Sequence, residues 1–417
     1  MTVSDSPPAA SAERLLNHPP FIALWISRFV SVIGVQIQGV ALAWQIYAIA
    51  RERHDVRHAA LAVGMIGLAQ FLPLFALTLT AGEIADRHDR KVIALGCMSA
   101  EVVIGLALTA LAALNLGLLW PIYLTAVAFG ASRAFQSPAL TALGPMLVPR
   151  SLLPRSIAWN ALAWQSGSIF GPAIGGLLCA VSPTAAYAVS TVLFLVGIGA
   201  MLVVRGQTRP PAPTATRWTL VKEGLAYVLG NKIVLGAISL DLFAVLLGGA
   251  TALLPVFARD VLQVGAQGFG VLRAAPAIGA AAVAVVLAWR PIHRKAGLFM
   301  FGGVAAFGAA TAIFAVSRNL MLSVGCLVVL GGADMLSVFI RQTLVQVVTP
   351  DAMRGRVGAV SNVFIGASNE LGEFESGLAA RFLGAVGAAL FGGIGALVVT
   401  GAWARLFPAL RRADRLE

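Results

Sequence analysis

Apolar runs of roughly 20 residues follow one another along nearly the whole chain, parted by short charged stretches, and few folds can accommodate that pattern. In a bilayer every backbone N–H and C=O must be bonded internally, which leaves helices or closed barrels. A barrel needs segments of about ten alternating residues, and runs such as AVAVVLA do not alternate. Hydrophobic residues make up 59% of the 417 and charged residues 12%, with a mean hydropathy of +0.86, far from the composition of a water-soluble globular chain. The sequence therefore predicts an all-α integral membrane protein. Its expected helices, about twelve, cover approximately 20–48, 59–81, 92–114, 119–144, 158–181, 184–204, 232–257, 268–289, 297–316, 320–347, 358–381 and 385–404.

A polar interruption, RGQTRPPAPTATRW, divides these helices six and six, and the stretch TLVKEGLAYVLGN after it reads as an amphipathic segment on the membrane surface. The expected layout is a tail over 1–19, a helical bundle over 20–205, a linker over 206–231, a second bundle over 232–404 and a tail over 405–417.

The net charge of +12 is placed as a topology signal, not as a nucleic-acid surface. Alternate loops carry Arg87, Arg90 and Lys91; Arg150 and Arg155; Arg205, Arg209, Arg217 and Lys222; Arg290, Arg294 and Lys295; Arg354 and Arg356; and Arg405, Arg411, Arg412 and Arg415. The positive-inside rule makes that face cytoplasmic, with both termini inside. Arg51, Arg53 and Arg57 in the first opposite loop break the pattern. The first 19 residues lack the layout of a cleaved signal peptide. Cys97, Cys179 and Cys326 sit singly in apolar segments and read as small core residues, and no His/Cys cluster has metal-ligand spacing, so no cofactor is expected.

Sliding the chain by 201 residues aligns Gly130 with Gly331, Pro149 with Pro350, Arg155 with Arg356, Ala158 with Ala359, Gly171 with Gly372, Gly176 with Gly377 and Leu177 with Leu378, without a gap. This predicts a parallel duplication.

GEIADRHDRK (Gly82 to Lys91), between the second and third expected helices, resembles the G-x-L-A-D-R-x-G-R-K loop of the major facilitator superfamily. Gly82 permits close helix approach, Asp86 can accept hydrogen bonds, and Arg87, Arg90 and Lys91 hold the loop at an anionic leaflet. Asp89 replaces the usual Gly, and Asp still tolerates a left-handed turn. GSIFGPAIGG, with Gly167, Gly171, Pro172, Gly175 and Gly176, is similar to the antiporter signature of the superfamily's exporters. Glycines four apart give a smooth face for a neighbouring helix, and Pro172 permits a bend. RAFQ, with Arg133 and Gln136, resembles the exporters' R-x-x-Q element, with Ser137 in place of its Gly. Over nearly the full chain the resemblance is to bacterial efflux proteins of that superfamily. It implies twelve helices in two pseudo-symmetric six-helix bundles and proton-linked export of a siderophore, drug or other hydrophobic compound.

A charge near the bilayer centre costs about 2.5 to 3.5 kcal/mol on insertion scales, so such residues should face protein or a wet cavity. By helical rise, Asp241 and Arg341 lie roughly 14 and 10 Å from the inner face and can pair. Arg273 matches the depth of Glu373 and Glu375. Asp334 and Glu370, both roughly 20 Å deep, are left without an obvious cation. Desolvation and like charge favour the neutral acid, so Glu370, Glu373, Asp334 and Asp241 are the proton-coupling candidates. Glu370 and Glu373 share a helix face, with Glu375 about 140° from Glu370 as a structural partner. Arg28, Gln36, Gln38, Gln70, Arg133, Gln136, Trp164, Gln165 and Arg341 are the candidates for a cavity taking an anionic, aromatic or amphipathic small molecule.

The leading expectation is a monomeric inner-membrane exporter coupled to protons and working by alternating access. An uptake symporter of the same fold is the alternative, disfavoured by the antiporter-like glycines. A membrane-embedded enzyme would need a nucleophile with a base or a metal set at one depth, and a sensor would need a sizeable soluble domain. The sequence offers neither.

Overall fold

The structure is a computed structural model that describes residues 15–206, 208, 209, 217–290, 292 and 294–413. Most of the expected N-terminal tail, the Pro-rich part of the linker, His293 and Arg415 lie outside the described residues, as do the side chains of Arg150 and Arg217.

The helices are α1 (Pro19–Arg53), α2 (Val56–Arg87), α3 (Arg90–Ala113), α4 (Leu119–Leu143), α5 (Leu153–Val181), α6 (Pro183–Val203), α7 (Arg217–Gly230), α8 (Lys232–Leu247), a short α9 (Leu254–Val256), α10 (Gly265–Trp289), α11 (Ala296–Val316), α12 (Leu320–Val348), α13 (Asp351–Leu406) and α14 (Pro408–Arg411). Side-chain caps set several starts by satisfying free backbone N–H groups. Asp55 accepts from the N–H of His58, Asn231 from those of Ile233 and Val234, and Asn319 from those of Met321 and Leu322.

Among the described residues, nine helical stretches are long and apolar enough to cross a membrane. Polar residues keep α4 (Arg133, Gln136) and α5 (Asn160, Gln165) outside that set, and α13 counts once although it is interrupted. The interruption is a single residue, Gly384, at φ 74°, a conformation that only glycine adopts cheaply.

The expected helix over 232–257 is not continuous. It stops at Leu247, and Gly248 and Gly249 lead into irregular turns before α9. Hydropathy runs on unbroken through the site and hides the break, although the Gly248–Gly249 dipeptide is a local turn signal. A methyl group on Gly249 would lie 2.4 Å from the carbonyl oxygen of Gly372 on α13, so the chain can pass there only as bare backbone. The amphipathic segment forms α7, which packs on α13. There Glu223 pairs with Arg356, and Gly224 meets the Arg356 carbonyl.

Packing repeats along the chain. The contacts of α2 with α4, α3 with α4 and α1 with α5 have counterparts in α10 with α12, α11 with α12 and α8 with α13. Gly130 lies on the backbone of Gln70, and its register partner Gly331 on the backbone of Pro276. Two crossings join the first six helices to the later ones, α2 on α13 and α5 on α10. At the first, Gly64 faces Gly377; at the second, Gly176 faces Gly270. Large apolar residues such as Leu106, Val181, Met321 and Phe382 stay exposed on the outside, with Trp120 and Trp289 at helix ends, as a lipid-facing surface with interfacial tryptophans requires.

Candidate functional site

A cavity of about 940 Å³ lies between α1, α2 and α4 on one side and α10 and α13 on the other. Asp86, Ala142 and Gly355, beside the basic loops, are among its lining residues, so it reaches that face. At the opposite end the two glycine crossings close it, and a polar lock is added. Arg51 of α1 pairs with Asp260 (3.1 Å), and the Tyr47 hydroxyl donates to the same carboxylate. The basic residues that break the charge rule thus include one half of a lock. Sequence reasoning missed Asp260, although an acid and a base at opposite-face helix ends were signals for it.

Charges meet at mid-depth. Arg133 of α4 donates to Glu370 of α13 (2.7 Å) and to the Gln70 side chain (3.3 Å), with its guanidinium 5.9 Å from the Phe129 ring centre. This corrects the expectation that Glu370 lacks a cation. The depth argument had matched charges within the second half, whereas the partner comes from the first. Arg273 sits 3.8 Å from Glu373 and donates to the Thr251 carbonyl (3.3 Å) in the irregular turns after α8, a carbonyl that also accepts from the Leu254 N–H. A broken helix offering a carbonyl at membrane depth is how transporter sites are commonly built. Glu375 instead meets the neighbouring Ser376 hydroxyl (3.5 Å).

Arg341, nearly inaccessible, pairs with Asp241 (3.3 Å) and donates to Ser361 (3.1 Å). That joins the pair matched by depth but removes Arg341 from the cavity candidates, because this side chain is spent inside the α8, α12 and α13 packing. Asp334 lies within electrostatic reach of the same two residues and does not line the cavity. Gln165 also leaves the lining: its amide donates to the Ala277 carbonyl of α10 (2.5 Å). Arg28, Gln36, Gln38, Gln70, Arg133, Gln136 and Trp164 do line it, with Glu370 and Glu373. Arg28 has no ion pair among the described residues, so a cation faces the cavity uncompensated. The Gln38 side-chain oxygen is buried without a hydrogen-bond partner among the described residues.

The glycine face of α5 packs on α1. Methyl groups on Gly167 and Gly171 would lie 2.5 Å from Val32 and Gln36 side-chain atoms, and one on Gly175 would be 3.1 Å from the Ile37 Cα. Gly176 points the other way, to α10. Gly82 is buried at the end of α2. In the loop that follows, Asp86 lies 3.8 Å from Arg90, Arg87 pairs with Glu83 (2.6 Å), and Arg90 also donates to the carbonyls of Ala85 and Ala142. The Lys91 ammonium binds the carbonyls of Leu202 and Val204 at the end of α6, where a cation suits free carbonyls. Asp89 is not left-handed as the sequence suggested, having φ −63°. It caps α3 by accepting from the Lys91 N–H (2.8 Å), and its other oxygen takes the Thr208 hydroxyl. A carboxylate at the helix start explains an Asp there.

Comparison with known proteins agrees with this architecture. The transmembrane secretion effector family matches residues 10–417. Enterobactin exporter EntS of Escherichia coli O139:H28 is 30% identical over 387 residues, 92% of this chain and 87% of that one, and its counterpart in Shigella boydii serotype 18 matches to the same extent. Among solved structures, the POT family transporter PepTSo superposes with a TM-score of 0.76 at 13% identity, covering 95% of this chain and 99% of the other. A bacterial homologue of the iron transporter ferroportin in its inward-facing state gives 0.67 at 17% identity, covering 94% and 100%. These structures share the fold. The chain is a multi-pass membrane protein and a transporter, not an enzyme, and it belongs to the transmembrane secretion effector family of the major facilitator superfamily.

Proposed function

We propose that the protein exports a small hydrophobic or anionic compound, with siderophores the leading class, across the bacterial inner membrane in exchange for protons. Twelve spans in two six-helix bundles rock about the central cavity, the basic loops and both termini face the cytoplasm, and one chain forms the working unit. The observation that carries this reading is the cavity itself. It reaches the basic face, is locked at the other, and is lined by Arg133, Phe129, Trp164 and by Arg28, which has no ion pair among the described residues. Cations and aromatic rings in a low-dielectric cleft suit an anionic aromatic molecule. The likeness to an enterobactin exporter supports the same substrate class. Glu373, held by Arg273 across the cavity wall, and Glu370, held by Arg133, are the groups whose protonation would free those cations.

Counterflow of enterobactin in proteoliposomes tests the substrate, and accumulation driven by a pH gradient tests the coupling. Glu373→Gln keeps the shape of the protonated acid. It is expected to retain counterflow and to lose gradient-driven accumulation by about tenfold or more, the effect of roughly 1.4 kcal/mol at one ionisable group. Accumulation at the wild-type level in both Glu373→Gln and Glu370→Gln would remove these carboxylates from the coupling mechanism.

A further inference from the structure

One ionisable group at mid-membrane stands apart from these pairs. Glu101, halfway along α3, is 0% exposed; the Gln136 amide is near enough to interact with its carboxyl, but neither oxygen has a partner in good hydrogen-bonding geometry, nor an ion pair, among the described residues. An isolated carboxylate in such surroundings costs several kcal/mol. The fold therefore tolerates Glu101 either as the neutral acid or with a cation brought to it.

One cation is within reach. From α4, Arg133 and Gln136 are the charged and amide groups that face Glu101. On α3 itself Cys97 lies one turn away, with its carbonyl taken by the Ser132 hydroxyl (3.2 Å). The remaining helix packed closely on α3 is α6. It carries no charged residue, and its Tyr187 hydroxyl is committed to Gln45 (2.8 Å). From α1, Ser27 reaches Met98 of α3. Arg133 is thus the cation able to serve Glu101, and in this state its Nη1 is engaged by Glu370 and Gln70. Arg133 and Gln136, the groups that face Glu101, line the cavity, while Glu101 does not.

We propose that Glu101 is a protonation site of the transport cycle, neutral while Arg133 is held by Glu370 and ionised when Arg133 is released to it. The exchange conserves charge. As α4 and α13 part, Arg133 leaves Glu370 for Glu101, Glu101 gives up its proton, and Glu370, without its cation, takes one from cavity water. The result is one proton moved from the α3 side of the cavity to the α13 side, with Arg133 as the carrier of countercharge. This rests on the proton-coupled reading above and adds a site in the first half to those in the second.

The test is infrared titration of the full-length protein in liposomes, which needs no substrate. A protonated carboxylic acid has a carbonyl stretch that an ionised one lacks. Wild type is expected to show such a band near neutral pH that is absent from Glu101→Gln. Glu370→Gln keeps Glu101 native and frees Arg133. There the band should persist only to a pH lower by about one to three units, as expected when an opposite charge arrives. Absence of a Glu101-dependent band, or a band titrating identically in wild type and Glu370→Gln, overturns the proposal. Enterobactin-driven proton flux separates the two levels. Flux in wild type with unchanged stoichiometry in Glu101→Gln refutes the role of Glu101 in the cycle and leaves coupled export standing. No flux in wild-type proteoliposomes that do show enterobactin counterflow refutes coupling itself, whatever the infrared band shows.

Discussion

Gly377→Ala on α13 should push the transporter out of the state seen here. A methyl group at that position would lie 2.6 Å from the Cα of Gly64 and 3.1 Å from both the Gly64 nitrogen and the Ala60 carbonyl. All three neighbours are backbone, so no rotamer change relieves the contact. Carbon atoms pack best at about 3.5 to 4.0 Å, which requires α2 and α13 to separate by about 1 Å. Forcing one extra methyl into a packed contact costs about 1 to 3 kcal/mol. The cost falls on the conformation in which this crossing is closed, so the equilibrium should move toward the alternative by about 5- to 150-fold. Spin labels on Arg57→Cys and Leu383→Cys, both exposed beside the crossing, report it by electron–electron distance measurement after Cys97, Cys179 and Cys326 are replaced by Ser. A longer-distance population should grow in Gly377→Ala. Gly366→Ala is the control, because a methyl there meets nothing within 4 Å. An unchanged distribution in Gly377→Ala, or an equal shift in Gly366→Ala, would refute the reasoning.

Two further outcomes follow from the same packing. Asp86→Asn should slow transport about fivefold at unchanged insertion, since an amide loses roughly 1 kcal/mol of charge-assisted bonding in the loop beside the cavity mouth; a wild-type rate in vesicles would remove Asp86 from the conformational cycle. Gly171→Ala should reduce transport modestly and Gly171→Leu far more, in proportion to volume, because the site faces Gln36 and the Ile33 carbonyl of α1; equal rates in the two variants would mean that this face only fills space.

How far the sequence reached depended on which terms were local. Apolar length is local, and it placed most of the expected helices within a few residues of the observed ones. The Asp241–Arg341 pair was also legible, because both residues belong to the second half and their depths could be counted from one face. The Glu370 partner was not, because Arg133 approaches from the first half. The failures at Gln165 and Asp89 have the same origin: a carbonyl on α10 and the start of α3 decided their roles, and neither is a periodic signal. Gly249 shows the limit most plainly, since nothing in an apolar run announces that another helix will press a carbonyl against it.

The distinction between local and cross-chain contacts also sorts the buried charges by what they can do. Asp241, Arg341 and Ser361 lie on α8, α12 and α13, all in the second half, so a rocking motion of the halves leaves their bonds intact. Breaking such a buried pair costs about 3 to 5 kcal/mol, which favours a permanent strut over a step repeated every cycle. The Arg51–Asp260 and Arg133–Glu370 pairs join the first half to the second and cannot both survive a change of access. The first is partly exposed at the closed face, where water can replace it at little cost. The second lies in the cavity with an acid that needs either a cation or a proton. On the proposed cycle, parting of the halves would take Arg133 away from Glu370, and a proton arriving there first would make the separation cheaper. That reciprocity is what coupling requires.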